Sequence, residues 1–213
     1  MFFVPYVILL VVSIQGSAAL PCLRASKNLL IVGLGNMGET ADGGSRHNIG
    51  YDCIDHFAAL HRAQWKDSLK FITTYAAVVV DSEYNVGLAK PLTYMNEAGE
   101  SVARLKDRFD LAPEDILVIT DDVWLDFGKV KIVEGSTSSP TSRKLQTTHN
   151  GIRNVAMKLK SPTFSRLLVG VGQPRKGQTQ VEHVLAPFSK AEQAKLPDLY
   201  LDAIEAIEKW IHS

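Results

Sequence analysis

The sequence predicts an α/β fold, a single three-layer domain with a mixed twisted β-sheet flanked by helices. Three observations carry that expectation. Short apolar runs bounded by glycines and polar turns alternate with longer segments whose apolar residues recur at helical spacing. One hairpin signal interrupts the alternation, so the sheet is mixed rather than wholly parallel. The 213 residues are 46% hydrophobic and 22% charged, enough for one sizeable core and unlike disorder, collagen or coiled coil.

Residues 1–25 stand apart as an apolar leader or extension, and residues 26–213 form the folded unit. Residues 2–14 are almost wholly apolar, and Gly16-Ser17-Ala18-Ala19 follows them. That resembles the apolar region and cleavage zone of a secretory signal, although no basic residue precedes Arg24 and the pattern is a poor mitochondrial transit peptide.

Residues 28–33 read as a buried strand, and 34–46, rich in Gly and Asp, as a loop. Ile49, Cys53, Ile54, Phe57, Ala58 and Leu60 mark a helix over 48–62. Residues 75–80 and 86–89 are β-prone runs around the turn Asp81-Ser82-Glu83-Tyr84-Asn85. Ala98, Val102, Leu105 and Phe109 mark a helix ending before Pro113. A buried strand over 115–120 and a half-exposed one over 129–133 follow. Residues 135–148 form a polar loop, 150–160 a short helix, 166–171 a strand and 181–185 a further short strand. Ser189 and Glu192 make a capping box that opens the C-terminal helix, which Pro197 breaks or restarts.

The formal net charge is zero, which by itself argues against a polyanion partner. Residues 127–176, however, hold ten Lys or Arg against one acid, Glu134, a local balance of +9. Solvated helix faces are one reading of that block, and a basic face for a polyanion is the other. Cys22 and Cys53 cannot build a disulfide framework, and no CxxC, HExxH or GxSxG occurs. The expectation is therefore no metal and no covalent nucleophile, but a histidine that activates water.

Gly33-Leu-Gly35-Asn-Met-Gly38 has the spacing of a dinucleotide fingerprint. The third Gly does not open a helix, and no acid ends a second strand about 20 residues on, so no nucleotide cofactor is expected. The glycines instead let the chain turn and present Asn36 at a strand end. Among six histidines, His47 lies at the mouth of a strand-loop-helix unit, where open α/β folds place ligands. Asp121, directly after the strand DILVIT, can orient that imidazole as a His–Asp dyad, or simply cap a turn. Asn36, Asn48, Asn96 and Asn150 all fall at inferred loop–helix junctions, where amides can orient a peptide or a developing oxyanion without adding charge.

In order and spacing, LIVGLGNMG with SRHNIG, KPLTYMN, Asp121-Asp122, His149-Asn150-Gly151, RLLVGVGQP and HVLAPFS together resemble the bacterial-type peptidyl-tRNA hydrolase family. The resemblance implies hydrolysis of the ester between a peptide and the 3′-ribose of tRNA by a monomeric α/β domain without cofactor or metal. It assigns His47 as general base on water and Asp121 as its partner. Asn36, Asn96 and Asn150, with Tyr94 and Met95, would form the substrate site. Lys131, Arg143, Lys144 and Arg166 would contact tRNA. An enzyme acting on tRNA is expected in the cytoplasm or mitochondrion, in tension with the secretory-like leader. The sequence departs from the family pattern at Met37, which stands for Pro, and at Ala41-Asp42, where a substrate-stacking Tyr is common. Val123-Trp124-Leu125-Asp126 replaces Leu-Asp-Leu-Pro, residues 136–148 replace a compact loop, and Val133 and Leu168 stand where basic residues are expected. These departures motivate the alternative of a catalytically impaired RNA-binding relative.

Overall fold

The computed structural model describes residues 27–38, 44–135 and 149–213. The leader, residues 136–148, and with them Arg143 and Lys144, lie outside the described residues. Seven strands are described: β1 (Lys27–Gly33), β2 (Lys66–Ser68), β3 (Thr73–Val80), β4 (Tyr84–Pro91), β5 (Ile116–Asp122), β6 (Val130–Val133) and β7 (Ser165–Gly170). The helices are α1 (Ile49–Leu60), α2 (Ala98–Phe109), α3 (Asn150–Leu159), α4 (Gln180–Leu185), α5 (Lys190–Gln193) and α6 (Leu196–Ile211).

The strands form one sheet in the order β2-β3-β4-β1-β5-β7-β6. β4, β1, β5 and β7 are mutually parallel, and β2, β3 and β6 join antiparallel at the two sides. Parallel strands need cover on both faces, because their central residues are apolar on both sides. One face carries α1 and α6 over Leu29, Ile31, Leu88, Leu117 and Leu167. The other carries α2 and α3 over Leu30, Val32, Ala89, Ile116 and Val118. Alternate residues of β1 and β5 thus serve two cores, as the period of 2 requires. In α1, Ile49, Cys53, Ile54 and Phe57 are fully buried, each large side chain contributing roughly 1.5–3 kcal/mol of apolar transfer.

The expected three-layer mixed-sheet architecture is the observed one. Two elements differ from the expectation. Residues 181–185 belong to α4, not to a strand; the Thr179 side chain accepts from Glu182 N–H while the Glu182 carboxylate accepts from Thr179 N–H, a complete capping box. β2 has no apolar alternation, only Lys-Asp-Ser, and forms because β3 offers it an open side. The break at Pro197 falls where expected, with α5 ending at Gln193 and Pro197 in the first turn of α6.

The C-terminal ends of the four parallel strands share one edge of the sheet. From β1 the chain builds β4 on one side and then returns to build β5 on the other. The chain direction thus switches at that edge between β1 and β5, the point at which such sheets form a ligand-binding crevice. The Gly33–Gly35 segment owes its glycines to close approach. A Cβ on Gly33 would lie 2.3 Å from Gly50 O, and one on Gly35 would lie 2.7 Å from the Tyr51 ring. Only Gly38 of the three uses a positive φ, at 85°. The helix α1 can therefore sit directly on the end of β1.

Candidate active site

The crevice is built from turns at the ends of β1, β4 and β5 and from the start of α3. His47 belongs to a 3-10 turn, Arg46–Asn48, that leads into α1. That turn is anchored by Arg46, whose guanidinium donates to the carbonyls of Ala186 and Pro187 at 3.1 and 2.8 Å and to the Glu192 carboxylate at 2.8 Å. His47 Nδ1 lies 2.7 Å from Asp121 Oδ1, so the expected dyad is formed. Asp121, near the end of β5, is only 4% exposed.

A second imidazole reaches the same oxygen. His149 Nε2 is 3.0 Å from Asp121 Oδ1 and 2.8 Å from Thr120 Oγ1. Its Nδ1 accepts the Ile152 N–H at 3.3 Å, which caps α3. A ring whose Nδ1 accepts carries its proton on Nε2, so His149 donates to Asp121. Burial would push the Asp121 carboxyl up. The two imidazoles, His149 first and His47 after it, outweigh that and hold it well below the usual carboxylate range. Asp121 is accordingly ionised and accepts from both rings.

The amides are arranged by backbone partners. Asn36 N–H donates to Asn48 Oδ1 at 2.7 Å, and Asn48 Nδ2 donates to Asn36 O at 3.2 Å. Asn36 Oδ1 in turn accepts the Met95 N–H at 3.0 Å, tying the β1 turn to the β4 turn. Asn96 is exposed in a second 3-10 turn, Met95–Glu97, beside exposed Tyr94. Asn150 is exposed at the first position of α3, next to His149. Met95, expected to contact substrate, is a buried core residue against α3; a Cβ on Gly151 would lie 2.7 Å from its sulfur.

The basic residues divide. Lys131 is exposed on β6, paired across the sheet with Leu168, while Val133 pairs with Arg166. All four side chains share one face. Arg166 corrects the expectation of an open phosphate contact, since it is 6% exposed within β7 and burial lowers its pKa. Its register partner in β5 is Val118, so its side chain stands on the sheet face that α2 and α3 cover. Lys129, Lys131, Arg153, Lys158, Lys160, Arg175 and Lys176 remain exposed from the +9 block.

The replaced turn after Asp122 is well made. Asp122 Oδ1 accepts the N–H groups of Trp124 and Leu125 at 2.7 and 3.0 Å. The turn is stitched to the end of β7 by Val171 N–H to Asp122 O and Gly172 N–H to Leu125 O. Asp121 therefore keeps its place despite the departure in sequence.

The motifs contain His149 and Arg46 without giving either a role, and Thr120 is likewise unassigned. His149 stands at a loop–helix junction just as His47 does, and that signal was available. Among the described residues, the ligand atoms of His47, Asp121 and His149 form the group that lies within 4.8 Å of one another. Each nitrogen that would face a metal ion there instead meets a hydrogen bond to Asp121 Oδ1. The arrangement is a charged hydrogen-bond network, able to make one imidazole a base.

The model of the family described as peptidyl-tRNA hydrolase matches residues 30–213. A peptidyl-tRNA hydrolase of Clostridium acetobutylicum is 39% identical over 180 residues, covering 84% of this chain and 89% of that protein. One from Listeria monocytogenes is 33% identical over 181 residues, 85% of this chain and 91% of that protein. Among solved structures, peptidyl-tRNA hydrolase from Acinetobacter baumannii superposes with a TM-score of 0.74 at 28% identity, covering 89% of this chain and 90% of that one. With the fold, the family match and nearly full-length relatives in agreement, the chain belongs to the peptidyl-tRNA hydrolase family.

Proposed function

We propose that the protein hydrolyses the ester of peptidyl-tRNA with His47 as general base. The observation that carries this reading is the 2.7 Å bond from His47 Nδ1 to an ionised, buried Asp121. With Nδ1 committed to the carboxylate, Nε2 is the basic nitrogen. It takes a proton from water as the water oxygen attacks the ester carbonyl carbon. Asp121 stabilises the resulting imidazolium and fixes the ring. The proton then passes to the departing 3′-oxygen of the ribose, leaving a free tRNA hydroxyl and a peptide carboxylic acid that gives up its own proton to solvent. No covalent intermediate is required.

Asn36, Asn96 and Asn150 supply uncharged donors and acceptors around this point, suited to a peptide backbone of any sequence and to the oxygen that gains charge. Tyr94 adds an exposed ring on the same turn as Asn96. The exposed lysines and arginines of the 127–176 block, Lys131 among them, hold tRNA phosphates. The protein acts as a monomer, in a compartment that contains ribosomes. Light scattering on the purified chain checks the first point, and N-terminal sequencing of the native protein shows whether the leader has been removed.

The deciding experiment is release of N-acetyl-amino acid from N-acetyl-aminoacyl-tRNA by the full chain and by His47→Ala. Loss of turnover in the variant, with tRNA binding retained, is the expected result. Normal tRNA binding by the unaltered protein without ester cleavage would instead identify the impaired RNA-binding relative.

A further inference from the structure

We propose that Trp124 is the stacking platform for the 3′-terminal nucleobase of the tRNA substrate. The inference rests on the His47–Asp121 dyad marking the ester. Trp65 and Trp210 are partly or largely buried, whereas Trp124 is 70% exposed. A single exposed apolar residue on a mobile loop would need no explanation. Trp124 is not on such a loop. Its own N–H and that of Leu125 are held by the Asp122 carboxylate, and the flanking carbonyls of Asp122 and Leu125 accept from Val171 and Gly172 at the end of β7. Gly170 lets that turn lie against β7, since a Cβ there would come within 2.1 Å of Asp126 O. The indole is thus presented to solvent from a fixed base, three residues from the dyad carboxylate.

The sheet order says which part of the substrate it meets. The dyad spans the β1 and β5 ends. On the β1–β4 side lie Asn36, Asn96 and the uncharged groups suited to peptide. On the β5–β7–β6 side lies the turn bearing Trp124, which runs directly into exposed Lys129 and Lys131. An aromatic ring placed between the ester and a basic strand is on the nucleic-acid side of the reacting bond. The group common to every such substrate there is the base of the ribose that carries the ester. Stacking suits it, because any base offers a π-face and the contact requires no fixed hydrogen-bond pattern.

The test compares the full chain with Trp124→Ala and Trp124→Tyr on N-acetyl-aminoacyl-tRNA, and on the same tRNA whose terminal ribose lacks its base. Expected for Trp124→Ala on the normal substrate is a drop in kcat/KM of about tenfold or more, carried mostly by KM. Trp124→Tyr recovers most of it. On the base-less substrate the unaltered protein is itself slowed, and Trp124→Ala adds less than about twofold to that. Equal losses on both substrates would overturn the proposal and point to a peptide or structural role, and so would no loss on either. Adenosine monophosphate should also quench a fluorescence component that Trp124→Ala lacks; no quenching beyond that of the variant counts against stacking. His47→Ala run in parallel separates the two readings, because full turnover in that variant removes the dyad whatever Trp124 does.

Discussion

The 3-10 turn before α1 and the N-cap of α3 each deliver a histidine to the same oxygen of Asp121, at 2.7 and 3.0 Å. Their surroundings make them chemically unlike. His149 uses both ring nitrogens for structure, one toward Asp121 and Thr120 and the other to cap α3. His47 uses Nδ1 for the dyad, on a turn that Arg46 locks to the segment before α5. In the proposed mechanism the shared carboxylate does not confer a shared role: the ring that also caps α3 is scaffold, and His47 is the base.

Substitution at the two histidines is the sharpest way to break this distinction. His47→Ala should lower kcat by about 10²- to 10⁴-fold with tRNA binding retained. If His149→Ala costs as much in kcat, measured on the same substrate, the distinction fails. Next in size is Asp121→Asn, expected to lose about 100-fold in kcat because the ring loses its charged partner. This variant also carries a pH signature. The Asp121 carboxyl is held below its ordinary range in the folded state, so its stabilisation is fully present above the usual carboxylate pKa of about 4 and is lost as pH falls further. Thermal melts should show the unaltered protein ahead of Asp121→Asn at neutral pH, with the gap closing in acid. A gap that stays constant to the lowest measurable pH would mean that the charge on Asp121 is not what stabilises the site.

His149→Ala comes third. It should reduce kcat by about tenfold through a less well-held Asp121, and lower stability by about 1 kcal/mol through the lost helix cap. Denaturant titration and steady-state rates on one preparation read both. The smallest effect concerns the region beyond the two histidines. Lys131→Ala should raise KM a few-fold and reduce the slope of log affinity against log salt by about 1. An unchanged slope would place the phosphates elsewhere.

The contrast between the two histidines also marks how far residues alone could be read. His47, Asp121 and the strands behind them were legible, because a buried apolar run followed by a polar residue identifies a strand end that faces a crevice. His149 carried the same local signal, but its approach to Asp121 depends on α3 lying across the sheet edge, a long-range fact. Arg166 looks available for a similar reason. A basic residue at the start of a strand gives no sign of which face it takes, and Arg166 shares the face of Val118, under α2 and α3. α4 carries its capping box in the sequence, yet Val181-Glu-His-Val-Leu185 is short and β-branched enough to pass for a strand. β2 had no signal of its own to find.

The tight seat of α1 has a consequence for inherited variation. A Cβ at Gly50 would lie 2.5 Å from Leu34 O and 2.6 Å from Ile119 O, on either side of the hydrogen bond that joins the ends of β1 and β5. Glycine to alanine is among the mildest exchanges by chemical similarity. Here the added methyl would lever the helix and its preceding turn away from the β5 carboxylate, so an allele encoding that change would behave as a loss of function although the altered residue touches no substrate.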